Sequence, residues 1–281
     1  MTIAKPGIAA GVVVASLAGM TLSSIGLPKI IPASICALCV LTSAMGAGII
    51  NSVLEQRTDA LMPRLAGRVV ALERIGPAKA LSIALLLIAF SLTASFFYFS
   101  PFTCFLILLA VTSYAGLYTL YLKRRSPYGS VLGGIPGALP VLIGCSATHN
   151  GIGPGGLLLF FVMLMWQQPH FLAFALKYRA DYEAAGIPIM PARLGEPYTK
   201  AFIFIYATAL APLTVSLWVF GYVTVWYALF SVAACGAFLS ALYLYAARGQ
   251  RYGLAFAASI VYIMAILGGV VVDSVGRNLG G

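Results

Sequence analysis

The sequence predicts an all-α, polytopic membrane protein with nine transmembrane helices. Three observations predict the membrane class and the helix count. The chain of 281 residues is 61% hydrophobic and only 9% charged, whereas a soluble domain carries about 25% charged residues. Its apolar residues fall into nine windows, each near the ~20 residues that a hydrocarbon core requires. The scarce charges gather in alternate connections between those windows. This composition excludes an ordinary soluble enzyme, a disordered chain and a disulfide scaffold. The five cysteines, Cys36, Cys39, Cys104, Cys145 and Cys235, lie in or beside apolar stretches and read as small buried hydrophobes.

The windows run roughly 8–27, 31–50, 80–97, 101–120, 131–148, 156–176, 201–220, 225–246 and 253–272. The first follows Lys5 and Pro6, has no small-residue cleavage site, and reads as a retained helix rather than a signal peptide. The second runs directly into an acidic segment. The third and fourth are separated by a short link, and the fourth ends at Lys123, Arg124 and Arg125. The fifth contains Gly133, Gly134, Pro136 and Gly137, but lacks the lysine of a phosphate-binding loop. Its small residues suit close helix contact, or room for a large flat ligand. The sixth carries His170 behind Pro169, and Gly186, Pro188 and Pro191 stop any helix beyond it. His149 closes the fifth window as an interfacial cap. The last three windows alternate with short connections.

Nine spans put the amino terminus and the second connection of every pair on one side. That side holds Lys5, Arg57, Arg64, Arg68, Arg74, Lys79, Lys123, Arg124, Arg125, Lys177, Arg179, Arg193, Lys200, Arg248 and Arg251, which are 15 of the 17 basic residues. Lys29 and Arg277 are on the other. The bias makes the basic side cytoplasmic, with the amino terminus inside, the carboxy terminus outside and the chain in the cell inner membrane. The net charge of +10 therefore serves topology and anion binding, not nucleic acid. Six of the seven acids, Glu55, Asp59, Glu73, Asp181, Glu183 and Glu196, lie on this same side, in the connections 51–79 and 177–200. Topology does not require acids there. Acids among arginines suit a metal and an anion held together.

Asn51, Glu55 and Asp59 are spaced i, i+4, i+8 and share one helix face. Oxygen ligands on one face suit Mg²⁺, which is commonly held by one or two carboxylates plus substrate phosphates. Arg64 and Arg68 follow four residues apart and can fork onto phosphoryl oxygens. The same residues would also serve as a solvated loop with local ion pairs. Asp181 stands just past the sixth window as Asp59 stands past the second, with Lys177 four residues before it and expected to face the same way. His170 is either a satisfied core histidine or one that faces haem or another substrate.

Four stretches resemble one family. Lys5-Pro6-Gly7-Ile8 resembles its lysine–proline lead-in, and residues 51–64 (NSVLEQRTDALMPR) its asparagine, acid, acid, methionine, arginine pattern. Residues 121–144 and 166–191 also match, the latter through Pro169-His170-Phe171 and Asp181-Tyr182 followed by Ala-Gly186-Ile-Pro188. The chain is thereby similar to the protoheme IX farnesyltransferases (haem O synthases), within the intramembrane aromatic prenyltransferase superfamily. The resemblance spans most of the chain and implies a single intramembrane prenyltransferase domain over 1–281, its nine helices set around a central cavity. It implies Mg²⁺ at Asn51, Glu55, Asp59 and Asp181, with farnesyl diphosphate held by Arg64, Arg68, Lys123 and Arg124. Tyr118, His170, Lys177 and Tyr182, in or beside the matching stretches, complete the implied substrate-binding set. The implied acceptor is the 2-vinyl group of haem B and the product is haem O, with haem-handling or oxidase-assembly proteins as partners and the lipid bilayer as surroundings.

The chain departs from the family at three places. Glu55 replaces a common aspartate, the arginine–threonine and arginine–proline pairs read Arg64-Leu65 and Arg68-Val69, and Gln168-Pro169 stands where two prolines are usual. A quinone-precursor or chlorin prenyltransferase, a transporter, and a non-catalytic haem-binding assembly protein are the competing readings.

Overall fold

A computed structural model describes residues 2–24 and 27–279, and every regular element among them is helical. Among the described residues, nine helices are long and apolar enough to cross a membrane. They are α1 (Pro6–Ser23), α2 (Ile30–Leu54), α3 (Pro77–Tyr98), α4 (Pro101–Arg125), α5 (Gly129–His149), α6 (Pro154–Lys177), α7 (Glu196–Val219), α8 (Val225–Arg248) and α9 (Tyr252–Arg277). Each coincides with an expected window, with displaced ends. Lys123–Arg125 form the last turn of α4 instead of a loop. The start of α7 at Glu196 draws Glu196 and Lys200 out of the preceding connection into one helical turn.

Proline opens several of these helices. Pro6, Pro77, Pro101 and Pro154 stand at first positions, where the missing N–H costs nothing and φ is already helical. Lys5, just before Pro6, lies in the left-handed region at φ 50°, outside the extended range that a following proline favours.

The helices form two groups. α1 to α5 close into a ring of five, and α6 to α9 into a ring of four. The groups meet where α5 packs on α6 and α1 on α9. Glycines set the tightest of these contacts. A Cβ on Gly144 of α5 would stand 1.8 Å from the Ser16 carbonyl oxygen of α1, and one on Gly19 would stand 2.2 Å from that of Val141. Such close backbone approach replaces the hydrophobic drive that lipid cannot supply between helices. The outer surface is apolar, with Leu86, Val261 and Val272 exposed.

At one end of the bundle lie the amino terminus and the connections α2–α3, α4–α5, α6–α7 and α8–α9. The α2–α3 connection carries short helices at Gln56–Asp59 and Ala66–Ile75, and the α6–α7 connection carries them at Arg179–Ala184 and Met190–Arg193. At the opposite end, Asp273 accepts hydrogen bonds from the Thr224 backbone N–H and hydroxyl. His149 Nε2 lies 2.5 Å from the Ser23 carbonyl oxygen there, the capping role expected of it. All five cysteines are free.

Candidate active site

The first acidic segment differs from one unbroken helix. α2 ends at Leu54, Glu55 turns at φ −100° and ψ 4°, and Gln56–Asp59 resumes as a separate turn. The register survives, because the Glu55 N–H donates to the Asn51 carbonyl at 3.0 Å and the Asp59 N–H to that of Glu55 at 2.8 Å. Asn51, Glu55 and Asp59 are all buried, at 1%, 4% and 2% exposure. Burying charge is costly unless it is paired, and each acid has a cation. Lys123 donates to Glu55 Oε1 at 2.5 Å, and Arg68 pairs with Asp59 Oδ2. Lys5 donates to Asn51 Oδ1 and, at 3.1 Å, to the Tyr114 hydroxyl, while Asn51 Nδ2 donates to the Thr119 hydroxyl at 2.9 Å.

These pairs shape the titration of the mouth. Burial raises the Glu55 pKa, but Lys123, Lys5 and Arg68 overcome it and the net direction is down. At Asp59 burial wins over Arg68, and the direction is up. Burial, aided by repulsion from Arg68, brings Lys5 down to about 7 despite the nearby Glu55. Lys5 was not among the expected site residues. Its signal in the sequence is a lone cation before Pro6 at the charged end.

The second segment also breaks. α6 stops at Lys177, Tyr178 turns at φ −112°, and Arg179–Ala184 follows as a new helix. Lys177 and Asp181 therefore do not share a face. Lys177 is exposed, with Nζ over the Tyr178 ring and close to Gly253 of α9. Asp181 instead meets Arg64 from the first connection, with Nε to Oδ2 at 3.0 Å. Neither atom has a hydrogen-bond partner, although both are buried. The Arg64 guanidinium sits among three rings, 5.2 Å from Phe174, 4.7 Å from Tyr178 and 5.4 Å from Tyr182.

Beside the second segment, against the end of α4 and the start of α5, lies a small cavity of about 40 Å³, lined among others by Tyr118, Lys123, Ser130, Phe171, Leu172 and Tyr182. Ser113–Leu122 of α4 is wound as a π-helix, a form that recurs at functional sites. There Tyr114 and Tyr118 stack at 6.0 Å, and the Thr119 hydroxyl donates to the Tyr114 carbonyl at 2.8 Å. A Cβ on Gly133 of α5 would stand 2.2 Å from the Tyr118 ring. The α5 glycines thus serve close packing.

Two further expected residues stand apart. Arg124 is exposed and donates to the Leu54 carbonyl at 3.1 Å, closing the end of α2. His170 faces α9, its ring between Trp166 at 4.7 Å and Phe256 at 4.3 Å and its Nδ1 2.7 Å from the Ser259 hydroxyl. That is the satisfied core histidine of the two readings. Glu183 pairs with Arg179, and Glu196 with Lys200 and Tyr252, away from the mouth.

Among the described residues, no three of His, Cys, Asp and Glu gather as a ready metal site. The donor set still fits a hard cation. It offers amide and carboxylate oxygens, among them Asp181 Oδ2, which is ion-paired with Arg64 but makes no hydrogen bond.

A membrane bundle with buried acids, cations and an aromatic cavity at one end matches a class of intramembrane prenyl-transferring enzymes. Residues 12–272 match the UbiA prenyltransferase family, and the chain belongs to that family, in its protoheme IX farnesyltransferase branch. It is 44% identical, over 92% of its length and the whole of the relative, to a protoheme IX farnesyltransferase of Geotalea uraniireducens. The fold is similar to the apo structure of a UbiA homologue from Aeropyrum pernix K1, with TM-score 0.77, 18% identity, and 96% of this chain and 98% of that one covered. It is also similar to a UbiA homologue from Archaeoglobus fulgidus bound to GPP and Mg²⁺, with TM-score 0.69, 12% identity, and coverage of 95% and 98%. Membership removes the transporter and non-catalytic readings.

Proposed function

We propose that the protein transfers a farnesyl group from farnesyl diphosphate to the 2-vinyl group of haem B, giving haem O and diphosphate. The observation that carries this reading is the 44% identity along nearly the whole chain to a protoheme IX farnesyltransferase. The acid–cation mouth opening on an aromatic cavity supports it.

In this reading residues 1–281 act as one prenyltransferase domain, and Asn51, Glu55, Asp59 and Asp181 hold Mg²⁺. When bound, the metal offsets the negative charge that develops on the departing diphosphate. Lys123, Arg68 and Arg64, now paired with the acids, turn to phosphate oxygens. Lys5, Tyr114 and Thr119 orient the Asn51 amide. Tyr118, Phe171 and Tyr182 wall the cavity with π-faces, which stabilise an allylic cation without offering it a strong nucleophile. Arg124, His170 and Lys177 act from the margin, in packing or in guiding the large acceptor. The charged end faces the cytoplasm, and the product passes to haem-handling or oxidase-assembly proteins.

The test is an assay of purified protein with haem B, farnesyl diphosphate and Mg²⁺. Haem O should form, chelation of the metal should abolish it, and Glu55→Gln and Asp59→Asn should each lower kcat/KM by about 100-fold or more. Prenylation of a hydroxybenzoate or chlorin in place of haem would overturn the reading.

A further inference from the structure

A second cavity lies at the end of the bundle opposite the buried acids, where the two rings of helices meet. Its volume is about 380 Å³, within the range of small-molecule and cofactor sites and far above that of the cavity beside the second segment. Leu22, Ile152 and Tyr222 give it apolar walls, and Ser23 and His149 give it a polar edge. The His149 ring is fixed there, with Nε2 2.5 Å from the Ser23 carbonyl oxygen. A carbonyl only accepts, so Nε2 carries the proton and donates it. The neutral ring then keeps its lone pair on Nδ1. One ring nitrogen donating to a backbone carbonyl while the other stays basic is the arrangement of a metal-ligating histidine.

Four glycines also line this cavity, and they are of two kinds. A Cβ on Gly155 would stand 2.6 Å from the Tyr222 ring, and one on Gly156 would stand 2.7 Å from the Cys145 sulfur. Those two serve packing. A Cβ on Gly153 would meet nothing within 4 Å, and one on Gly151 only the His149 carbonyl oxygen at 3.9 Å. Neither has a positive φ. Neither backbone nor neighbour therefore requires glycine at these two positions, and what they leave is room beside the imidazole. A bare metal ion would not use that room, and it would need more ligands. Cys145, one turn before His149, gives its thiol to the Gly19 carbonyl at 3.2 Å, and no cluster of three ligating side chains forms among the described residues. One imidazole in a large apolar cavity fits instead a metal already held in a flat macrocycle and short only of an axial ligand. The reaction proposed above, on which this inference rests, handles such a molecule. We propose that this cavity is a second haem site, apart from the acceptor's position at the mouth, in which His149 Nδ1 ligates the iron.

The test titrates the full-length protein in detergent with haem B and, separately, with haem O, and reads the Soret and visible bands. The wild type should show an imidazole-ligated haem in addition to the one at the mouth. His149→Ala removes the ligand, and Gly153→Leu fills the room. Each should weaken that component by about tenfold or more, a loss seen even for partners one shell out from a metal, while the initial rate of haem O formation stays unchanged. Tighter binding of haem O assigns the site to product, and tighter binding of haem B to incoming substrate. Spectra and affinities unchanged in both variants overturn the site. So does loss of the ligated haem together with haem O formation in both, because His149 would then belong to the acceptor's own site. If the wild type ligates haem through His149 yet makes no haem O, the site stands and the activity reading fails.

Discussion

At the scale of single residues, Arg64 departs furthest from expectation. The motif suggests a phosphate ligand, yet the side chain lies among Phe174, Tyr178 and Tyr182 and against Asp181. It pins the first connection to the second, so Asp181 and Arg64 should behave as one unit. Arg64→Gln and Asp181→Asn should each reduce kcat/KM for farnesyl diphosphate, and the double variant should lose less than the sum, by a coupling of about 0.5–3 kcal/mol. Steady-state kinetics of the cycle measure it; strict additivity would place the two residues in separate roles. Arg64→Lys keeps the charge but not the planar stacking, and should recover only part of the loss. The spacing of Asn51, Glu55 and Asp59 was readable because i, i+4 register fixes a face. Arg64's cage and Lys5's reach to Asn51 were not, since both depend on where distant segments meet.

Element by element, the helices were the most legible part of the chain. Bilayer thickness sets their length, so windows of composition alone locate them. What periodicity misses are the local breaks. Glu55 and Tyr178 each stop a helix and restart it, and the residues around them give no proline or glycine warning. The second break turns Lys177 away from Asp181. The π-helical stretch of α4 likewise has no compositional mark. The α1–α5 contact allows a sharper prediction. Gly144→Ala would force a methyl group against the Ser16 backbone, where no flexible side chain can yield. It should destabilise the protein by about 1–3 kcal/mol, seen as a lowered Tm in detergent. Alanine at Gly236, which has nothing within 4 Å, should leave Tm nearly unchanged.

The whole molecule carries its charge at one end. Fifteen of the 17 basic residues fall on the side of the amino terminus when the nine helices alternate. A topology reporter fused after residue 281 should therefore report the non-cytoplasmic side, and one placed in the α6–α7 connection the cytoplasm. The reverse pattern would overturn the orientation.

The same arrangement has a consequence for how a ligand enters. Glu55 with Lys123, Asp59 with Arg68, and Asp181 with Arg64 are three closed pairs. Three acids of the resting mouth thus sit against three bases, and Lys5 beside them is bonded to the neutral Asn51 amide and Tyr114 hydroxyl. A bare anion would have to displace the acids, and a bare cation would have to displace the bases. A metal–diphosphate complex brings both signs at once and lets each acid and each base trade one partner for another. The mouth then works as an ion exchanger, in which free anions or free metals that supply only half of the trade are left in solution.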